Sequence, residues 1–224
     1  MKQSLYEDLK RMILTMELAP GVSLDETRLS EEYKMSRTPL RDVFRRLEGE
    51  GYLEIINNKG ASVSSMDHGT LRSFFLVAPM IYAAIGRLAV LNASDQQLCE
   101  LKAFQRKFLR AVEQDDADGM IFQNDSFHRK VGEMAGNLYL KPSYERLLID
   151  HGRISQTFYR PETEDGEDDL NAAAEHHDEM IQSIQDRDSE AMATLTGVHW
   201  ELSRNHMESY IRPDPLPFES EHIA

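Results

Sequence analysis

Cysteine is almost absent from this chain: Cys99 is the single one in 224 residues. No intrachain disulfide or thiolate cluster can form, and the helical pattern LCELKAF around Cys99 gives it the expected role of a small buried hydrophobe. Long apolar runs are lacking too. No stretch approaches the roughly 20 apolar residues of a membrane span, and the opening segment MKQSLYEDLKRM has no uninterrupted apolar stretch like that of a secretory signal. The expectation is a soluble, cytoplasmic chain with no membrane partner. Basic charge is scarce as well: 25 lysines and arginines face 39 acids, a net charge of −14. Averaged over the chain, that balance counts against a nucleic-acid partner. No repeat, no low-complexity segment and no HExxH or other compact catalytic motif occurs.

What is present divides the chain in two. The length suits one small and one medium domain, each able to bury a core. Residues 1–66 hold 10 lysines and arginines against 11 acids, which leaves 15 against 28 for residues 67–224. The acidity therefore belongs to the second part, and local charge decides a contact. Within the first part Arg37, Arg41, Arg45 and Arg46 fall within ten residues.

Leu5, Leu9, Met12, Ile13 and Met16 recur at helical spacing over residues 3–17, until Pro20 and Gly21 break the pattern. Asp25 can cap a short second helix. Ser36 is a good N-cap for a third, RTPLRDVFRRLEGEG, whose first turn tolerates Pro39. Residues 52–56, a turn at 57–60 and residues 61–65 read as a hairpin. Three helices and a hairpin predict a winged helix-turn-helix. From Gly69 onward every long segment has apolar residues three and four apart, which predicts an all-α bundle with helices near 69–92, 95–114, 117–135, 138–159, 170–186 and 188–210. Ser94 and Gln97 form a capping pair. The run ETEDGEDD, 162–169, is expected to be a solvated loop without a metal. The fold class is thus mainly α, with a head at 1–66, a linker at 67–68, a helical domain at 69–211 and a tail at 212–224.

Arg37, Arg41 and Arg45 stand four apart on the third helix, so they share one stripe. Leu40, Val43, Phe44 and Leu47 fill a neighbouring arc that can pack inward. An exposed arginine row on such a helix suits a major groove, where guanidinium groups fork onto guanine or phosphate and the Thr38 hydroxyl can join them. Asn58, Lys59 and Gly60 at the wing tip would approach the minor groove or phosphates. The bland alternative is a solvated face whose arginines pair with Asp42 and Glu48. LSEEYKMSRTPLRDVFRRLEGEGYL, Leu29 to Leu53, resembles the signature of GntR-family regulators, S-R-T-P-hydrophobic-R followed by R-L-E-x-x-G. The resemblance implies that Arg37, Thr38, Arg41 and Arg45 face an operator and that Gly60 marks the wing tip.

In the second part, Asn124 and His128 lie four apart on one helix, with His177 and His199 on later ones. Imidazoles from three helices converging in a bundle suit zinc, nickel or a similar divalent ion. NDSFHRKVGEMAGN, Asn124 to Asn137, resembles the metal-binding motif of the FCD effector domain of the FadR subfamily, as does EHHDEMIQSIQDRDSEA followed by His199. The resemblance implies Asn124, His128, His177 and His199 as the ligand set, with His177 preferred to His176 on the family spacing. Many members carry aspartate where this chain has Asn124, an uncharged and weaker donor. Many also carry an arginine and a glutamate in the first helix of the domain, where this chain reads VAPMIY around Ala78 and Tyr82. Tyr82, Arg87, Arg129 and Arg153 are candidate effector-pocket groups. The expected protein is a homodimeric repressor of a catabolic operon that reads a palindromic operator and responds to a small effector, an organic acid by resemblance. A metal-dependent hydrolase and a DNA-binding dimer without ligand sensing are the rival readings.

Overall fold

The structure, a computed structural model, describes residues 2–56, 60–159 and 164–211. Asn58 and Lys59 of the expected wing tip, and the tail at 212–224, lie outside the described residues.

Helix α1 (Lys2–Leu14) buries Leu5, Tyr6, Leu9, Ile13 and Leu14 along one side. The apolar spacing continues to Met16, but Met16 takes a left-handed backbone with φ of 60° and the helix has already ended. Helix α2 (Glu26–Glu32) starts where Asp25 accepts the backbone N–H groups of Thr27 and Arg28. Helix α3 (Arg37–Glu50) follows Ser36, which has the extended backbone of an N-cap but makes no side-chain capping bond. Gly51 ends α3 with φ of 91°, a conformation only glycine adopts without strain. Strands β1 (Leu53–Ile56) and β2 (Gly60–Val63) pair antiparallel, Leu53 opposite Val63. The segment before α2 runs along the other edge of β2: Leu24 N donates to Ala61 O at 2.8 Å and Val63 N to Val22 O at 2.9 Å. That third line of pairing completes the winged helix.

The all-α part begins with α4 (His68–Asn92), capped by Asp67 through Thr70 N. Then come α5 (Asp95–Glu113), opened by the Ser94–Gln97 capping box, and α6 (Ala117–Ala135), closed by Gly136 at φ of 60°. Helices α7 (Lys141–Ile154), α8 (Gln156–Tyr159), α9 (Glu164–Gln185) and α10 (Ser189–Ile211) complete it.

Four expectations need correction. The single helix over 138–159 is two, broken at Ser155, whose hydroxyl donates to His151 O at 2.8 Å and competes with the helical ladder. The acidic run is not all loop. From Glu164 the backbone forms the first turns of α9. Cys99 is exposed, since α5 turns Leu101, Gln105 and Phe108 inward instead. Finally, α4 is long and apolar enough to cross a membrane. It nevertheless buries Leu71, Phe74, Ala78, Tyr82, Ile85 and Ala89 within the bundle, against α6 and α10.

The core is continuous across the two parts. Leu9, Ile13, Phe44, Leu47 and Tyr52 share one apolar cluster with Phe108, Ile121, Ile149 and Tyr159 of the bundle. A second cluster, with Phe74, Tyr82, Phe127, Tyr144 and Trp200, fills the bundle interior.

Candidate nucleic-acid interface and metal centre

Burying Leu40, Val43, Phe44 and Leu47 against α1 and α2 leaves Arg37, Thr38, Arg41 and Arg45 exposed on α3. The acids are arranged differently from the solvated-face expectation. Asp42 accepts from Lys2 at 2.9 Å, while Arg41 Nε reaches Glu26 at 3.1 Å. Exposed pairs of this kind contribute about 0–1 kcal/mol, so a phosphate can displace Glu26 from Arg41 at small cost. Arg46 lies off the stripe: it pairs with Glu50 at 3.1 Å and stacks on the Tyr6 ring at 3.7 Å. Gly60 has φ of 86° with open space around it, leaving its backbone approachable at the wing.

The second constellation lies inside the bundle. One turn separates Asn124 from His128 on α6, so both face inward. His177 comes from α9, His199 from α10 and His151 from α7, and all five side chains are buried. One ring nitrogen each from His128, His177 and His199 falls within 4.8 Å of the other two. The three ring centres are 5.2, 5.1 and 5.0 Å apart. Imidazoles binding one ion at about 2.1 Å, with ring centres about 1.1 Å further out, would stand roughly 5 Å apart.

Hydrogen bonding gives the same fit. His128 Nε2, His177 Nε2, His199 Nδ1, His151 Nδ1 and both amide atoms of Asn124 are buried without a protein partner. Each such orphan costs about 1–3 kcal/mol unless something bonds it. Gln105 fixes the direction of one donor. Its amide nitrogen donates to Ala174 O at 3.0 Å, leaving its oxygen to accept from His177 Nδ1 at 3.0 Å. His177 therefore keeps its proton on Nδ1 and offers a lone pair at Nε2, the arrangement that orients metal-binding imidazoles. Phe127 stacks on the other face of His177 at 4.0 Å. Burial holds His151 down at about 4 and His177 at about 3, and lowers His128 and His199 well below the ordinary value, so these rings stay neutral and able to donate. His176 is only partly buried, and its ring centre lies 5.6 Å from that of His199, at the edge of the group.

The four pocket candidates separate. Tyr82 belongs to the histidine group: its ring lies 5.8 Å from His151 and 6.3 Å from His128, and its hydroxyl is buried without a partner. Arg87 does not. It is exposed and forks onto Glu190 with two bonds of 2.9 Å. Arg129 and Arg153 are turned toward the winged helix. Arg129 pairs with Asp125 at 2.7 Å and donates to the Tyr52 hydroxyl at 2.8 Å. Arg153, wholly buried, pairs with Asp150 and donates to Ser64 O at 2.8 Å and Ser64 Oγ at 3.2 Å. These arginines join the two parts of the chain. Arg146, which donates to Gly51 O at 2.7 Å, serves the same junction and was not foreseen from the sequence. Neither were Gln105 and His151, each placed at an apolar helical position with no distinguishing spacing of its own.

Comparisons with known proteins agree with this architecture. Residues 1–63 match the family described as bacterial regulatory proteins, gntR family, and residues 80–202 match the FCD domain. The HTH-type transcriptional repressor RspR of Escherichia coli K12 is 23% identical over 197 residues, covering 88% of this chain and 84% of that protein. An uncharacterized HTH-type transcriptional regulator of Bacillus subtilis, YdhC, is 22% identical over 204 residues, 91% of this chain and 89% of the relative. The solved structure of E. coli McbR/YncC has the same fold, with a TM-score of 0.75 at 21% identity, over 94% of this chain and 96% of that one. The chain belongs to the GntR family of transcriptional regulators and carries an FCD domain as its helical part.

Proposed function

We propose that this chain is an effector-responsive repressor of the FadR subfamily, in which residues 1–66 read an operator and residues 69–211 bind a divalent ion and an organic acid. The observation that carries the reading is the set of buried, unpartnered nitrogens on His128, His177 and His199 gathered within 4.8 Å. Asn124 Oδ1 joins them as a neutral fourth donor. Zinc or nickel suits such a nitrogen-rich set. When bound, the ion supplies a Lewis-acidic anchor for a carboxylate oxygen, and the buried Tyr82 hydroxyl stands ready to donate to the same ligand. Asp150, buried, is held by Arg153, and Asp125 holds Arg129 through one oxygen. Both carboxylates serve arginines that reach the winged helix, which favours a sensor over a hydrolase.

Arg37, Thr38, Arg41 and Arg45 enter the major groove, and Asn58, Lys59 and Gly60 meet the adjacent backbone. A homodimer places two such heads on a palindrome. Its interface falls on the outer face of α4, where Leu76 and Met80, one turn apart, are 70% and 68% exposed. Helix α7 carries the signal: it presents His151 to the other histidines and Arg146 and Arg153 to the head, so a ligand that favours one position of α7 favours one placement of the heads.

Operator fragments titrated at fixed salt, with and without zinc and organic acids, test this reading. Arg41→Ala should cost about 1–3 kcal/mol of operator binding, and one class of acid should shift the wild-type affinity. Unchanged binding by the variant would remove the α3 assignment. Metal-independent, acid-independent binding would leave a DNA-binding dimer without a sensor.

A further inference from the structure

His151 packs against the histidine group yet belongs to no motif that brought the other three to attention. It is almost completely buried on α7, and its Nδ1 has no hydrogen-bond partner. Its ring lies 4.9 Å from that of His128, nearer than any two of the triad rings are to each other, and stacks on His199 at 6.1 Å and on Tyr82 at 5.8 Å. It is not among the three residues whose nitrogens fall within 4.8 Å of one another, but its ring adjoins theirs through His128 and His199. That is where a further donor would enter a shell of more than three. The charges around it sharpen the point. Asn124 is uncharged, Asp150 is paired with Arg153, and Asp125, the residue after Asn124, holds Arg129 through Oδ2 while its Oδ1 has no protein partner. With an uncharged amide at Asn124, one more neutral imidazole beside His128 and His199 would add a nitrogen to the donor set.

We propose that His151 is a ligand of the ion, giving this chain a shell of four imidazoles and an amide in place of one built around a carboxylate. The inference rests on the metal-binding reading above. Four imidazoles select nitrogen-preferring ions, nickel and copper above all and zinc next, against manganese and magnesium, which favour oxygen. His151 also ties the ion to α7, the helix that grips Ser64 and Gly51 of the head.

The rival role for His151 is a flat spacer between Tyr82 and His199. His151→Phe keeps the stack and removes the nitrogen, so it separates the two. With the full-length chain, nickel and zinc affinities would be measured by competition with a chromophoric chelator for wild type, His151→Phe and His177→Ala. Nickel affinity should fall at least about tenfold in His151→Phe, the smallest loss usually seen when even an outer-sphere partner is removed. The metal-free melting temperature should stay close to that of wild type. In wild type labelled with ¹⁵N-histidine, zinc should shift the His151 ring resonances into the coordinated range along with those of the triad, a readout that needs no variant. Wild-type affinity retained by His151→Phe, or His151 resonances unmoved while the triad shifts, would overturn the proposal and leave the triad site standing. No binding by wild type itself would instead overturn the site reading on which it rests.

Discussion

Arg153→Met tests whether the two parts of the chain are held together as the contacts indicate. Arg153 is wholly buried, as are Asp150 and Ser64 beside it. Methionine keeps most of the side-chain volume, so the cavity contribution is small and the cost is electrostatic. Stranding one member of a buried ion pair costs about 3–5 kcal/mol, and Ser64 O loses its donor at the junction as well. A total near 4 kcal/mol at about 2–4 °C per kcal/mol for a chain of this length lowers the melting temperature by roughly 8–16 °C. The decisive comparison is the double variant Asp150→Asn, Arg153→Met. With no carboxylate left stranded, it should be more stable than Arg153→Met alone, although it carries one more substitution. Urea unfolding followed by circular dichroism and by the fluorescence of Trp200 measures both. The bonds cross the junction, so the single variant should also split the unfolding into two steps. A loss below about 1 kcal/mol, or a double variant less stable than the single, would refute the reasoning.

Gln105→Leu leaves His177 Nδ1 without its acceptor; zinc affinity should fall by about 10–100-fold in chelator competition, and an unchanged affinity would deny Gln105 its orienting role. Gly132→Ala puts a methyl group 2.7 Å from the Tyr144 ring, whose hydroxyl donates to His128 O at 3.0 Å. Overpacking of this kind costs about 1–3 kcal/mol, readable as a lower melting temperature, and unchanged melting would mean that the α6–α7 contact is looser than described. Stability of the metal-free protein should fall as pH drops. Folded His151 and His177 resist protons down to about 4 and about 3, while in the unfolded chain they titrate near the ordinary 6.5. The unfolded state therefore binds more protons below 6.5, and each of the two removes about 1.4 kcal/mol per pH unit through that window. Urea midpoints in the presence of a chelator at pH 7.5, 6 and 5 measure this, and a flat profile contradicts it.

The winged helix was legible because its signals are local: a cap at Asp25, a proline in the first turn of α3, and arginines four apart beside an apolar arc. The histidine group was legible only in part. Asn124 and His128 share a helix face, and His177 and His199 follow at family spacing, but His151 and Gln105 sit at ordinary core positions of α7 and α5. Their partners arrive from other helices, so nothing near them in sequence reveals the role. The contacts of the arginines were hidden for a related reason. Arg129 and Arg153 have the charge a carboxylate ligand needs, yet side chains reaching across from Tyr52 and Ser64 claim them, 77 and 89 residues away. Cys99 was misplaced because its apolar neighbours define the buried face of α5 more strongly than it does.

Helix α4 is a long, strongly apolar helix, and α10 is a main part of what covers it. Asn92 leaves the ribosome nearly a hundred residues before Ser189 does. At about 5–20 residues per second, a nascent chain carries this uncovered segment for on the order of 5–20 s. Premature stops between the two helices should therefore yield fragments that aggregate or are captured by chaperones and cleared, whatever the fate of the operator-reading head ahead of them. The bundle closes only when its last helix has been made.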